Sequence, residues 1–333
     1  MTNSPRRTLL HDDPGELIAA VPGLLRFAPA DSAVLITYAG VHALCLESVL
    51  RMDLPAPEHT TDVAAQLRLV AINHNATVVE LVMVGGGAAD PPELPHRALV
   101  EELTEQLDRA GIVFAHAVWT PAAEPGQSWW CYQDPECAGQ VADPRASPVT
   151  AALTVAGEVA VPTRADLAAR LAPDPPEDLA RRAVLLAELP PVDPEEAFPH
   201  VRAAVERVDP TADPGLDDRA VVRLAHALTH SEVREACLAL ALTSRADRAE
   251  RLWTALARAA PGAACAGPAA LAAVHAYLRG EGTLAGIAVD NALAAQPDHA
   301  LALTVRHAID SGVRPHQFRV MLTQSIIAAL TDR

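Results

Sequence analysis

Apolar positions along this chain follow two rhythms, and the change between them divides the sequence. Up to about residue 120, short runs of β-branched and aliphatic residues alternate with stretches of helical period. An acidic cap at Asp12 and Asp13, with Pro14 in the first turn, predicts a short helix over 16–21 that Pro22 and Gly23 should end. The runs 33–38 and 44–50, separated by Ala39, Gly40, Val41 and His42, predict an antiparallel hairpin closed by Asp53, Leu54 and Pro55. A helix over 61–73, a continuous apolar strand over 77–84, a helix over 93–110 and a strand over 111–119 follow. Helices alternating with buried strands imply a layered α/β sheet.

Residues 121–148 break both rhythms. Pro, Gly, Asp and Ser dominate there, yet Trp129, Trp130, Cys131 and Tyr132 interrupt them, so a long irregular loop with an aromatic centre is expected, a type that often carries function. Two helical stretches, 148–156 and 163–171, flank an extended piece at 158–161, and Thr163 with Asp166 forms a variant capping box. Pro173, Asp174, Pro175 and Pro176 mark the expected boundary between an α/β domain at 10–173 and an all-α domain at 177–333. Beyond it helices are predicted at 177–189, 194–207, 217–228, 231–242, 246–259, 268–279, 283–295, 298–310 and 315–330. Ala285, Ala292 and Pro297 have the spacing of a tetratricopeptide second helix, but no copy stands upstream, so tetratricopeptide-like stacking is expected rather than an array.

Composition narrows the chemistry. The length of 333 residues suits about two domains, and 50% hydrophobic residues supply real cores, while only 3% are aromatic. A formal charge of −16 opposes a phosphate backbone, so no nucleic-acid partner is expected. All 26 basic side chains are arginine. A chain without lysine cannot form a Schiff base, supply a Walker-type lysine or run Ser–Lys chemistry. With no apolar run of about 18 residues and no signal-like start, a cytoplasmic protein with no membrane partner is expected. Five scattered cysteines fit reduced thiols without a structural disulfide.

No cofactor motif emerges. Gly85, Gly86 and Gly87 follow a buried strand, but Asp90, Pro91, Pro92 and Glu93 place acid and missing donors where a phosphate would sit, so a plain turn is expected. Cys131 and Cys137 are weak zinc candidates without a second pair, and no metal site is expected. His226 and His230 have helical metal spacing, yet Thr229 with Glu232 predicts a new capping box that breaks the helix between them. Asp31, Ser32, Arg51 and Asp53 cluster about the first hairpin without a nucleophile elbow. With Trp130, Tyr132 and Arg164 they form the candidate ligand or polar site, and none is assigned as catalytic.

Residues 17–34, from Leu17 through Pro22, Gly23, Phe27, Asp31 and Ser32, resemble the opening signature of a family of actinobacterial proteins built on a domain of unknown function. The resemblance extends through Arg51 to Pro55, Trp130 to Tyr132 with Cys137, Ala156 and Gly157 leading to Pro162, Thr163, Arg164 and Leu167, then Trp253, Ala260 and Pro261, Gly280 to Gly282 and Asp290 to Pro297. The chain departs from the family where Ala138 and Gly139 follow Cys137 in place of cysteine and proline, which weakens a shared metal site. The resemblance implies no activity or cofactor. The expected function is a non-catalytic interaction or regulatory protein whose helical half binds a protein partner; the alternative is a hydrolase or transferase with its site near the 121–148 loop.

Overall fold

A computed structural model describes residues 13–40, 45–88, 93–144, 161–209 and 211–331. It divides into two compact units, Met1–Asp166 and Leu167–Arg333.

The first unit is built on a six-stranded mixed sheet. Its elements are α1 (Pro14–Leu25), β1 (Ser32–Ala39), β2 (Cys45–Asp53), α2 (Thr60–Asn73), β3 (Val78–Val84), α3 (Arg97–Arg109), β4 (Val113–Thr120), β5 (Ser128–Cys131) and β6 (Ala138–Gln140). The strand order is β2-β1-β3-β4-β5-β6, parallel only between β3 and β4, the pair joined by α3. A parallel pair needs such a crossover, and a 13-residue amphipathic helix supplies it. One sheet face sends Ala33, Leu35, Val79, Leu81, Met83, Ala117 and Trp119 into a core shared with Leu67 of α2 and Leu103 of α3. The other face is buried as well, through Val34, Ile36, Val82, Val84 and Val118. Burial on both faces is why these strands read as continuous apolar runs rather than alternating ones.

Three expectations are corrected here. The first helix does not stop at Pro22; it runs to Leu25 and ends at Arg26, which takes the left-handed conformation with φ 68°. The stretch 121–148 is not irregular throughout, because Ser128–Cys131 and Ala138–Gln140 pair as a hairpin on the sheet edge. Tryptophans favour a pleated, half-buried surface, and that preference outweighs the surrounding turn formers. The helix expected from 93 begins at Arg97, after Pro95 and a left-handed His96. The expected helix at 148–156 and most of the extended piece at 158–161 lie outside the described residues; Val161 forms an isolated bridge to Phe27.

The division between the units falls within α4 (Arg164–Ala169), opened by the expected box: Thr163 Oγ1 donates to Asp166 at 2.7 Å and accepts from the Asp166 amide at 3.1 Å. The second unit is helical: α5 (Pro176–Ala187), α6 (Pro194–Arg207), α7 (Asp218–Ala227), α8 (Ser231–Leu238), α9 (Ala246–Ala259), α10 (Ala266–Leu278), α11 (Gly282–Ala295), α12 (Ala300–Asp310) and α13 (Pro315–Thr331). Asp193 and Asp217 cap α6 and α7 through their carboxylates. The helix does break between His226 and His230, but not through the expected capping box. Thr229 Oγ1 instead donates back to the His226 carbonyl at 2.7 Å, closing α7.

Every residue of α10 is buried. A helix apolar all round must be packed all round, and α9, α11, α12 and α13 lie against it. Gly267 sets how closely α10 approaches the Leu228 carbonyl, since a Cβ there would meet that oxygen at 2.5 Å. Alanine in place of a helical glycine ordinarily gains about 1 kcal/mol, whereas overpacking against fixed backbone costs about 1–3 kcal/mol. Gly267→Ala should therefore destabilise, by about 1 kcal/mol net, and a urea titration reads the sign. A midpoint higher than the wild type's would refute the clash.

Candidate functional site

The register of the first hairpin places Ser32 opposite Asp53 and Val34 opposite Arg51, so Ser32, Arg51 and Asp53 meet at one end of the sheet. Arg51 Nε donates to Ser32 Oγ at 2.8 Å, its NH2 pairs with Asp53 at 2.6 Å, and Ser32 Oγ donates to the Ala30 carbonyl at 2.6 Å. Asp31 stands beside them with φ 43°, its carboxylate accepting from the Gly86 amide at 2.9 Å. The Gly85–Gly87 turn is thus held by an aspartate where a phosphate loop would hold its ligand. Gly85 has φ 73°, and a Cβ there would lie 2.6 Å from the Asp31 carboxylate, so the turn requires glycine twice over. These polar groups form an internally satisfied corner joining β1, β2 and β3.

The aromatic candidates lie apart from that corner. Trp130 rests on Trp119 with ring centroids 5.6 Å apart. The Tyr132 hydroxyl donates to the Pro95 carbonyl at 2.5 Å, and its ring lies under the Arg97 guanidinium, 5.7 Å from the centroid. Burial raises the proton affinity of that phenol, so it is a structural donor. Arg164 stands in the first turn of α4. Cys131 and Cys137 come together at the end of the β5–β6 ladder, the Cys131 amide donating to the Cys137 carbonyl at 2.9 Å. Among the described residues no group of three or more His, Cys, Asp or Glu side chains is placed to hold a metal ion.

Two features escaped the sequence reading. The first is a polar triad across β1, β3 and β4, buried at Tyr38 and Glu80 and half-buried at His116. Glu80, fully buried, accepts from the Tyr38 hydroxyl at 2.6 Å through one carboxylate oxygen and lies 3.2 Å from His116 Nδ1 through the other. Burial and then the carboxylate raise the Tyr38 pKa, and the Glu80 hydrogen bond raises that of His116 above its ordinary 6.5. A single carboxylate inside the run Val78–Val84 was the available signal. The Glu80–His116 pairing itself depends on a register shift between Val79 and Glu80, which skips Ala115.

The second is a groove of about 490 Å³ in the helical unit. Asp247, Arg251, Thr254 and Arg258 present one stripe of α9 to it, at helical spacing, while Leu252, Trp253 and Leu256 of the same helix face the core. Arg170, Asp213, Leu284 and Ala288 complete the walls. At one end Arg279 pairs with Glu250 and, at 2.7 Å, with Glu281. Four arginines and four carboxylates line the groove, so it presents both signs of charge despite the acidity of the whole chain.

Residues 14–316 match the family model described as Domain of unknown function (DUF4192). No curated protein and no solved structure matches the chain. No helix among the described residues is long and apolar enough to cross a membrane.

Proposed function

The chain belongs to the DUF4192 family, and on that premise we propose that it is an interaction protein whose helical unit holds a segment of a protein partner in the groove beside α9. The carrying observation is the contrast between two sets of polar groups. In the α/β unit, Asp31, Ser32, Arg51 and Asp53 already satisfy one another or the backbone. In the helical unit, Arg170, Arg251 and Asp247 are exposed along a concave wall, beside the exposed Asp213, which accepts from the Gly215 amide at 3.0 Å. A wall carrying both signs suits a polypeptide of mixed charge, whose carboxylates take bidentate bonds from arginine and whose basic side chains meet the aspartates.

The test is capture of a partner on the full chain, compared with Arg170→Glu together with Arg251→Glu. A partner captured by the wild type should be held about tenfold less tightly by the double variant, and more weakly as salt is raised. Circular dichroism checks that both proteins are equally folded. Equal capture by the two, or none by the wild type, would overturn the reading.

A further inference from the structure

Outside both sites stands a pair of thiols with no part in the binding proposal. In the β5–β6 ladder Ser128 opposes Gln140, Trp129 opposes Gly139 and Trp130 opposes Ala138, so the next position sets Cys131 opposite Cys137. The Cys131 amide donates to the Cys137 carbonyl at 2.9 Å, while the Cys137 amide turns to the Asp134 carbonyl at 3.1 Å, so one main-chain bond still holds the two residues across from each other where the hairpin turn begins. Residues directly opposite in an antiparallel ladder point to the same face, with Cα atoms about 5.5 Å apart at a hydrogen-bonded position. A disulfide needs about 4.4–6.8 Å between Cα atoms. The thiols are free, Cys131 buried and Cys137 half-buried, and the Cys131 sulfur is near enough to raise the Cys137 pKa. Cys131 Sγ also donates to Gln133 Oε1 at 3.1 Å, and the same oxygen accepts from the Ala117 amide at 3.0 Å, which ties the turn back to β4.

We propose that Cys131 and Cys137 form a reversible oxidation site, closing to a cross-strand disulfide by exchange with a low-molecular-weight disulfide. The more exposed Cys137 loses its proton and attacks one sulfur of the oxidant; that S–S bond breaks, a mixed disulfide forms, and the departing thiolate takes up the proton. Cys131 then loses its proton and attacks Cys137 Sγ, expelling the second thiolate, which takes up that proton. Two protein thiols are oxidised, and one external disulfide is reduced to two thiols. Closure removes one donor from Gln133 Oε1 and leaves the bond from the Ala117 amide, so the hairpin keeps its tie to the sheet. Burial, and then the adjacent Cys131 sulfur, raise the Cys137 pKa, so the rate should climb about tenfold per pH unit below that pKa, because only the thiolate attacks.

The experiment equilibrates the full reduced chain with mixtures of oxidised and reduced glutathione, alkylates the remaining thiols and maps the peptides. The expected product is a Cys131–Cys137 crosslink with Cys45, Cys237 and Cys265 alkylated. In Cys131→Ser, Cys137 should carry glutathione instead. The native pair should close at an oxidised-to-reduced ratio about tenfold lower than the same chain in denaturant, since the ladder holds the sulfurs together. Equal ratios in the two states, or a glutathione adduct on wild-type Cys137 that Cys131 fails to displace, would overturn the proposal.

Discussion

Trp253→Ala should lower the unfolding free energy of the helical unit by about 3–5 kcal/mol, the cost of emptying a fully packed aromatic site. Trp253 is completely buried on α9, and its indole NH donates to His275 Nε2 on α10 at 3.3 Å. The substitution therefore opens a cavity and leaves a buried ring nitrogen without its donor, two penalties at one position. In the native chain burial pushes the His275 pKa down to about 4, which keeps the ring neutral and its Nε2 free to accept that bond. Trp253→Phe keeps most of the volume and should lose much less. Urea unfolding followed by circular dichroism separates the two, and a loss under about 1 kcal/mol for alanine would mean that this helix pair does not carry the unit's stability.

In the α/β unit, Glu80→Ala should cost about 3–5 kcal/mol, the range for breaking a buried charged hydrogen-bond group by removing one partner. The Tyr38 hydroxyl, fully buried, would lose its acceptor, and His116 would lose the carboxylate that holds its ring. Tyr38→Phe removes only one of these bonds and should cost about 1.5–3 kcal/mol, the worth of a hydrogen bond to a charged group. The same triad imposes a pH dependence of definite sign. Because the folded His116 pKa lies above 6.5, the folded state binds its proton more tightly than the unfolded chain does. That contribution is fully present below the unfolded pKa and is lost as pH rises through the folded one. Wild-type stability minus that of His116→Asn should accordingly shrink as pH is raised from below 6.5 to above the folded value. A difference that stays level, or grows with pH, would show that His116 and Glu80 do not share a proton-dependent bond in solution.

The triad also shows where reading the chain reached its limit. Glu80 is conspicuous as the one charge in an apolar strand, yet its partners Tyr38 and His116 lie 42 and 36 residues away. A regular ladder would have set Ala115 beside it; the irregularity after Val79 brings His116 there instead. The groove was hidden for a different reason. Arg251 and Arg258 look like the solvated face of any amphipathic helix, and only the approach of α11 and the 170–171 and 213–214 segments makes that face one wall of a concavity. At the first hairpin, by contrast, the clustering of Arg51 and Asp53 was legible, since residues two apart on a strand share a face, and the structure pairs them at 2.6 Å.

By itself the sequence determined the succession of elements, because hydrophobic period, proline and capping residues act over one or two turns and need no distant partner. Asp193 and Asp217 start helices α6 and α7, the three glycines after β3 make a turn, and the run of alanines in α10 demands burial on every side. The change to an all-α second half follows from the same local rules. Tertiary structure decided what the polar side chains do. It recruited Trp129 and Trp130 into the strand next to the sheet edge, set Cys131 across from Cys137, and chose which arginines line a groove and which, like Arg182, are spent on distant carboxylates. Pairing of this kind rests on register and on the packing of segments far apart in the chain, and a one-residue shift exchanges one face of a strand for the other.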